Sequence, residues 1–294
     1  MAFDSRHISD YSIDCLPKGR TDLLFLGMQG SGKSGMIGSV LRYMTDAGLL
    51  RYVPLAGADH SQPYYYDLMD TLDAGKATPA TPNDALVPMQ FDIGRRFKKP
   101  ITVVDYSGKV LKLFSEAESV GAEAWNNTLG YCMKSDNPKT LLFLFDYSII
   151  SGRNPIFSAI DQEQVLDNIL HIISSNGTGR YGDKGCTMEK VRNAAVIVTK
   201  SDLMETDLGC PLTHDEKVNY AFEYLKSRCS SFMNHLGDLC HKFDINANIK
   251  SHPHQVWITT FSLGRPASVG EADARRIADF IEAVTAKRRL FGRI

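Results

Sequence analysis

The segment Gly27-Met28-Gln29-Gly30-Ser31-Gly32-Lys33-Ser34 constrains this chain more than any other. It follows the apolar run Leu23 to Leu26 and precedes a stretch with Ile37, Val40, Leu41 and Met44 at helical spacing. Strand, glycine-rich turn, Lys-Ser and helix, in that order, predict a phosphate-binding loop. The glycines let backbone N–H groups turn inward around a phosphate chain, and the helix N-terminus adds partial positive charge there. In such a loop Gly27, Gln29, Gly30, Ser31, Gly32, Lys33, Ser34 and Gly35 contact the phosphates. Lys33 brings its ammonium to the β- and γ-phosphates, and the Ser34 hydroxyl serves a Mg²⁺ ion.

Two further strand ends narrow the ligand. Ile101 to Val104 runs into Asp105-Tyr106-Ser107-Gly108. A carboxylate there suits Mg²⁺, and Gly108 offers a backbone N–H to the γ-phosphate. Ala194 to Val198 leads into Thr199-Lys200-Ser201-Asp202. The Asp202 carboxylate can accept from the N1–H and 2-amino group of guanine. Adenine has neither donor, so it would leave the carboxylate desolvated and unpaired. The Lys200 alkyl stem can cover the base.

These three elements in this order resemble the Ras-like P-loop GTPases of the TRAFAC class. The resemblance spans roughly residues 20–290, with the base element in a threonine form, Thr199-Lys200-x-Asp202. It implies GTP and GDP as ligands with Mg²⁺. By position alone it places a short base-contacting loop at Thr260-Phe261-Ser262. It also implies a switch threonine that closes over Mg²⁺ from the segment 73–82; Thr81 is preferred to Thr78 because it lies nearer the following strand. The enlarged loops and this Ala-Thr-Pro-rich segment look like bacterial double-GTPase and conflict-system GTPases.

The catalytic position departs from the family. Where Ras-like enzymes often carry a water-orienting glutamine after Asp-x-x-Gly, this chain has Lys109, a poor acceptor while protonated. Hydrolysis is then slow, dependent on a partner, or served by another glutamine. Gln29 inside the phosphate loop is the candidate; its alternative role is a solvent-facing spacer. The readings that follow are a slow or partner-assisted GTPase switch, a non-hydrolysing GTP-dependent scaffold, and, less well matched, a P-loop ATPase.

The apolar runs at 23–26, 101–104, 141–145, 194–198 and 256–259 suit parallel strands buried on both faces. Val87, Met89, Phe91 and Ile93 alternate with Pro88, Gln90 and Asp92. This predicts a half-exposed strand that Pro88 confines to an edge. The fold class is α/β: a doubly wound, mostly parallel, six-stranded sheet with helices on both faces and enlarged loops. Helical stripes appear at Val165, Ile169 and Ile172, at Val218, Ala221, Phe222 and Leu225 behind a Thr213-x-x-Glu216 capping box, and at Ile277, Phe280, Ile281 and Val284. We read residues 1–20 as an N-terminal extension and 21–294 as one G domain with insertions near 45–86, 109–139, 148–192 and 203–250.

Composition excludes some partners. Of 294 residues, 43% are hydrophobic, enough for a sizeable core. The net charge of −1 gives no general pull toward nucleic acid. No run approaches the length of a membrane span. Six cysteines without a C-x-x-C pair read as reduced thiols in a cytoplasmic protein. His235, His241, His252 and His254 lack zinc-site spacing, so no metal site is expected among them. The basic tail from Lys287 reads as a cation-rich helix end. Expected partners are guanine nucleotide, a protein effector or activator at the switch loops, and a second subunit in a homo- or heterodimer.

Overall fold

A computed structural model describes residues 16–55, 61–76, 78, 86–113, 129–174, 188–243, 245, 257–263 and 267–285. Its strands are β1 (Thr21–Gly27), β2 (Leu50–Tyr52), β3 (Leu86–Ile93), β4 (Lys99–Tyr106), β5 (Lys139–Asp146), β6 (Val191–Thr199) and β7 (Trp257–Phe261). They form one seven-stranded sheet in the order β2-β3-β4-β1-β5-β6-β7. The strands from β4 across to β7 are parallel to their neighbours, while β3 is antiparallel to both β4 and β2.

Strand parity sorts the core into two layers. Leu24, Leu26, Phe143, Phe145, Val196 and Val198 face one cluster. Leu23, Phe25, Leu142, Leu144, Ala195 and Ile197 face the other. This is why the central strands read as unbroken apolar runs: each residue is buried on one face or the other. The second layer is covered by α1 (Lys33–Asp46), α2 (Ser61–Asp73) and α10 (Ala267–Thr285). The first is covered by shorter elements, α3 (Gly108–Leu113), α4 (Leu129–Lys134) and α5 (Tyr147–Ile150). With them lie α6 (Ala159–Ser174), α7 (Asp202–Leu208), α8 (His214–Arg228) and α9 (Ser230–Lys242). The predicted stripes at Val165 and Ile169, at Ala221 and Leu225, and at Ile277 and Ile281 are buried. The Thr213–Glu216 capping box opens α8 with both reciprocal bonds formed. No described helix is long and apolar enough to cross a membrane.

Two expectations need correction. The sheet has seven strands, not six, because Leu50 to Tyr52 pairs antiparallel with Phe91 to Ile93. Consequently β3 is not an edge strand. Pro88 is tolerated for a local reason: Val53 donates to the Gln90 carbonyl at the end of the β2 pairing. By the two-residue alternation of a strand, the Pro88 nitrogen faces the same side, past that last bond, where no ladder donor is needed. Nor is β3 half-exposed: α2 packs on the face of Val87, Met89 and Phe91, and Gln90 on the opposite face is only 4% accessible. A polar side chain in an alternating pattern was read as a wet face, and here that face is covered.

At the sheet end away from the phosphate loop, Asp22 accepts from Ser135 Oγ and Asn137 Nδ2. Lys139 Nζ, fully buried, donates to the Ser135 and Asn137 carbonyls. Burial pushes the Asp22 carboxyl up, against the Ser135 bond and the Lys139 charge that hold it ionised.

Candidate functional site

The phosphate loop begins where β1 ends, at the carboxyl edge of the sheet, the usual place for a ligand in an open α/β fold. Gly30 and Gly32 have φ of 78° and 77°, a region that disfavours side chains, and Gly32 caps the N-terminus of α1. The helix then runs Met36 N–H to Gly32 carbonyl, and its apolar face holds the loop against the core.

The three motifs meet here. Gly108 lies directly under the loop: a Cβ on it would fall 2.4 Å from the Gln29 nitrogen, so only glycine fits. Asp105 is fully buried; Ser34 Oγ donates to its Oδ2 at 2.9 Å, and Lys33 Nζ lies 3.6 Å from its Oδ1. Burial pushes the Lys33 ammonium below the usual lysine range, and Asp105 pulls it back. A cleft of about 220 Å³ opens above, lined by the loop from Met28 to Gly35 with Thr78, Ser107 and Gly108. A hydroxyl and a carboxylate at hydrogen-bond distance form the hard oxygen set that Mg²⁺ prefers, so these residues fit the ion.

The base element is tied to the same loop. Thr199 Oγ1 donates to the Ser31 carbonyl at 2.7 Å and lies 3.2 Å from the Phe145 carbonyl. This explains a threonine here: one hydroxyl fixes the strand end to the phosphate loop. Asp202, exposed at the start of α7, accepts from Ser262 Oγ at 2.9 Å. The Ser262 N–H is held in turn by Asp273 of α10. Lys200 stands at φ 56°, the one non-glycine residue among those described with positive φ. Its ammonium bonds the buried Asp146 carboxylate at 2.6 Å, which pins the residue in that conformation.

Among the predicted positions, the structure brings together Gly27, Gln29, Gly30, Ser31, Gly32, Lys33, Ser34, Gly35, Asp105, Gly108 and Thr199 around the loop, with Lys200, Asp202 and Ser262 beside it. The Thr260 and Phe261 side chains are buried in β7, so they can offer a base only their backbone. Gln29 lines the cleft; Lys109, though exposed, does not. Thr78 lines the cleft, while Thr81 lies outside the described residues.

Three contributors escape sequence reasoning. Tyr64 of α2 donates to Asp105 Oδ2 at 2.6 Å from 41 residues away. Asp273 supports the base loop from α10 with no motif around it. Asp146 was findable: an Asp-x-Ser after an apolar strand is an N-cap signal, and it does cap α5 through Ser148 N–H. Tyr64→Phe removes a donor to a buried carboxylate and is expected to lower the stability of the nucleotide-free protein by about 1.5–3 kcal/mol in urea unfolding. An unchanged midpoint would show that the phenol does not hold Asp105.

Away from the cleft, a more open hollow of about 400 Å³ is lined by Arg95, Arg96, Phe97, Lys99 and Arg275. It lies at the β3–β4 hairpin, the opposite sheet edge, and holds none of the motif residues.

No protein-family model matches the chain, and no curated protein sequence matches it. Solved structures with a similar course include GDP-bound aIF5B from Aeropyrum pernix, at 12% identity and a TM-score of 0.39. That alignment covers 92% of this chain and 36% of the other. Another is the GTPase-like domain of S. cerevisiae Ski7, bound to GDP and inorganic phosphate, at 12% identity and a TM-score of 0.41. It covers 91% of this chain and 50% of the other, so the chain spans half or less of either structure. Likenesses this distant carry no argument about the ligand. The fold assignment rests on the strand order, on the antiparallel β3 just before the Asp-x-x-Gly strand, and on the glycine loop between β1 and α1. On those features the chain has a doubly wound, mostly parallel α/β fold with a phosphate-loop turn after its first strand.

Proposed function

We propose that this protein binds GTP and GDP with Mg²⁺ as a guanine-nucleotide switch and hydrolyses GTP slowly or with the help of a partner protein. The observation that carries the reading is the Thr199–Ser31 hydrogen bond, which joins base element and phosphate loop into one site, above the Lys33, Ser34 and Asp105 group.

Each residue then has a task. Backbone N–H groups of the loop and the Lys33 ammonium hold the β- and γ-phosphates, whose charge restores the ammonium that burial disfavours. Ser34 and Asp105 would hold Mg²⁺. When bound, the ion neutralises charge between the phosphates and stabilises the leaving group. Gly108 presents its N–H to the γ-phosphate. Asp202 accepts from the two donors of guanine while Ser262 keeps its carboxylate oriented. Thr78 borders the cleft from the side, and an effector or activating partner would dock beside it.

The reading assigns the attacking water to Gln29, supported by its place in the cleft lining, which Lys109 does not share. Gln29→Ala should slow single-turnover GTP hydrolysis at saturating Mg²⁺ by ~10-fold or more, about 1.4 kcal/mol of barrier, with GTP affinity little changed. An unaltered rate rules out Gln29 as the residue that orients the water. Bound GTP with zero turnover in the parent points to the non-hydrolysing scaffold. The nucleotide class is tested by chromatography of what the purified protein releases on denaturation: guanine nucleotide supports the reading, and adenine nucleotide contradicts it.

A further inference from the structure

Sequence spacing offers no metal site among the histidines, yet the packing of α6 against α9 builds one. Asp167 and His171 stand one turn apart on α6, and His235 faces them from α9. His235 Nδ1 lies 2.7 Å from Asp167 Oδ1, and His171 Nε2 lies 3.7 Å from Asp167 Oδ2. The three donor atoms all fall within 4.8 Å of one another. The imidazole rings are 4.2 Å apart between centroids. Among the described residues this is the one such group of three His, Cys, Asp or Glu side chains.

We propose that Asp167, His171 and His235 bind a divalent transition metal, zinc first among them, as a clasp between α6 and α9. Tetrahedral zinc with bonds of about 2.0–2.1 Å sets its donors about 3.3 Å apart, and each imidazole already lies near that distance from one oxygen of Asp167, 2.7 Å from Oδ1 and 3.7 Å from Oδ2. Two imidazoles and one carboxylate are a set that zinc takes with water in the fourth position. The set is held before any metal arrives. Ser231 Oγ bonds Asp167 Oδ2 at 3.3 Å, and the Glu163 carboxylate accepts the Ser231 and Phe232 N–H groups at the start of α9. These contacts fix the helix ends, so binding needs only small side-chain rotations. His171, 66% exposed, is free to swing toward the ion and leaves the fourth position open to water. Mg²⁺, which demands six oxygen donors, does not suit it. None of the three residues lines the phosphate cleft, so the clasp stands or falls independently of the nucleotide reading.

The test is calorimetric titration of ZnCl₂ into chelator-treated, desalted protein, with melting followed by circular dichroism. The expected result is one Zn²⁺ per chain, a higher melting temperature with zinc and none of that rise with Mg²⁺. His171→Ala, whose exposed ring can be removed without disturbing the core, should weaken zinc by about 10-fold or more, as should His235→Gln. Co²⁺ should give the visible absorption of a four-coordinate site in the parent, lost in His171→Ala. No zinc binding by the parent overturns the proposal. So does zinc binding of equal affinity and stoichiometry in both variants, which assigns the ion to other donors.

Discussion

Lys33→Ala will abolish nucleotide binding, with a loss of at least about 100-fold in affinity, or about 3 kcal/mol. The size follows from where the ammonium sits. It is almost wholly buried, 3.6 Å from a buried carboxylate, and no water can replace its charge against a phosphate chain. Removing it also leaves Asp105 with Ser34 and Tyr64 as hydroxyl donors. Those two bonds should keep the apo fold intact, which a circular dichroism spectrum matching the parent would establish. Lys33→Met, which keeps more of the side-chain volume, serves as a second variant and should lose nucleotide equally. Fluorescent guanine nucleotide binding within twofold of the parent by either folded variant would remove the phosphate-loop assignment.

Asp202→Asn should cut GTP affinity by about 100-fold and turn preference toward xanthosine nucleotides, since the amide presents a donor where xanthine carries an acceptor. The structure makes this a clean test. Ser262 Oγ donates to Asp202 Oδ1, and an asparagine oxygen can still accept that bond, so the loop stays in place. Asp273 holds the Ser262 N–H independently. A competition assay that finds GTP still preferred over xanthosine triphosphate would take the base away from Asp202.

Much of this site is legible in the sequence because each motif is local. A glycine loop, an Asp-x-x-Gly and a Thr-Lys-x-Asp each follow an apolar strand, and parallel strands must deliver their carboxyl ends to one edge. The helices were equally readable where a stripe and a cap coincide, as in Thr213 with Glu216 before Val218 and Ala221. What was not legible depends on partners distant in the chain. Leu50 to Tyr52 is too short to show a period, so the seventh strand and the interior place of β3 could not be seen. Gln90 and Lys139 carry polar groups that sequence logic sends to water, yet both are buried, Lys139 because two carbonyls accept its protons. Tyr64 on Asp105, Asp273 under Ser262 and His235 against Asp167 join helices that share no motif. Local pattern gives a side chain's type and face, while its partner is set by helix packing that no spacing rule encodes.

The most direct measurement of the central claim is a calorimetric titration of the nucleotide-free protein with GDP and, separately, ADP, both with Mg²⁺. The account predicts one GDP site per chain, with ADP bound at least about 100-fold more weakly, because adenine leaves Asp202 desolvated without a donor. Equal affinity for the two nucleotides, or no saturable binding of either, would contradict it.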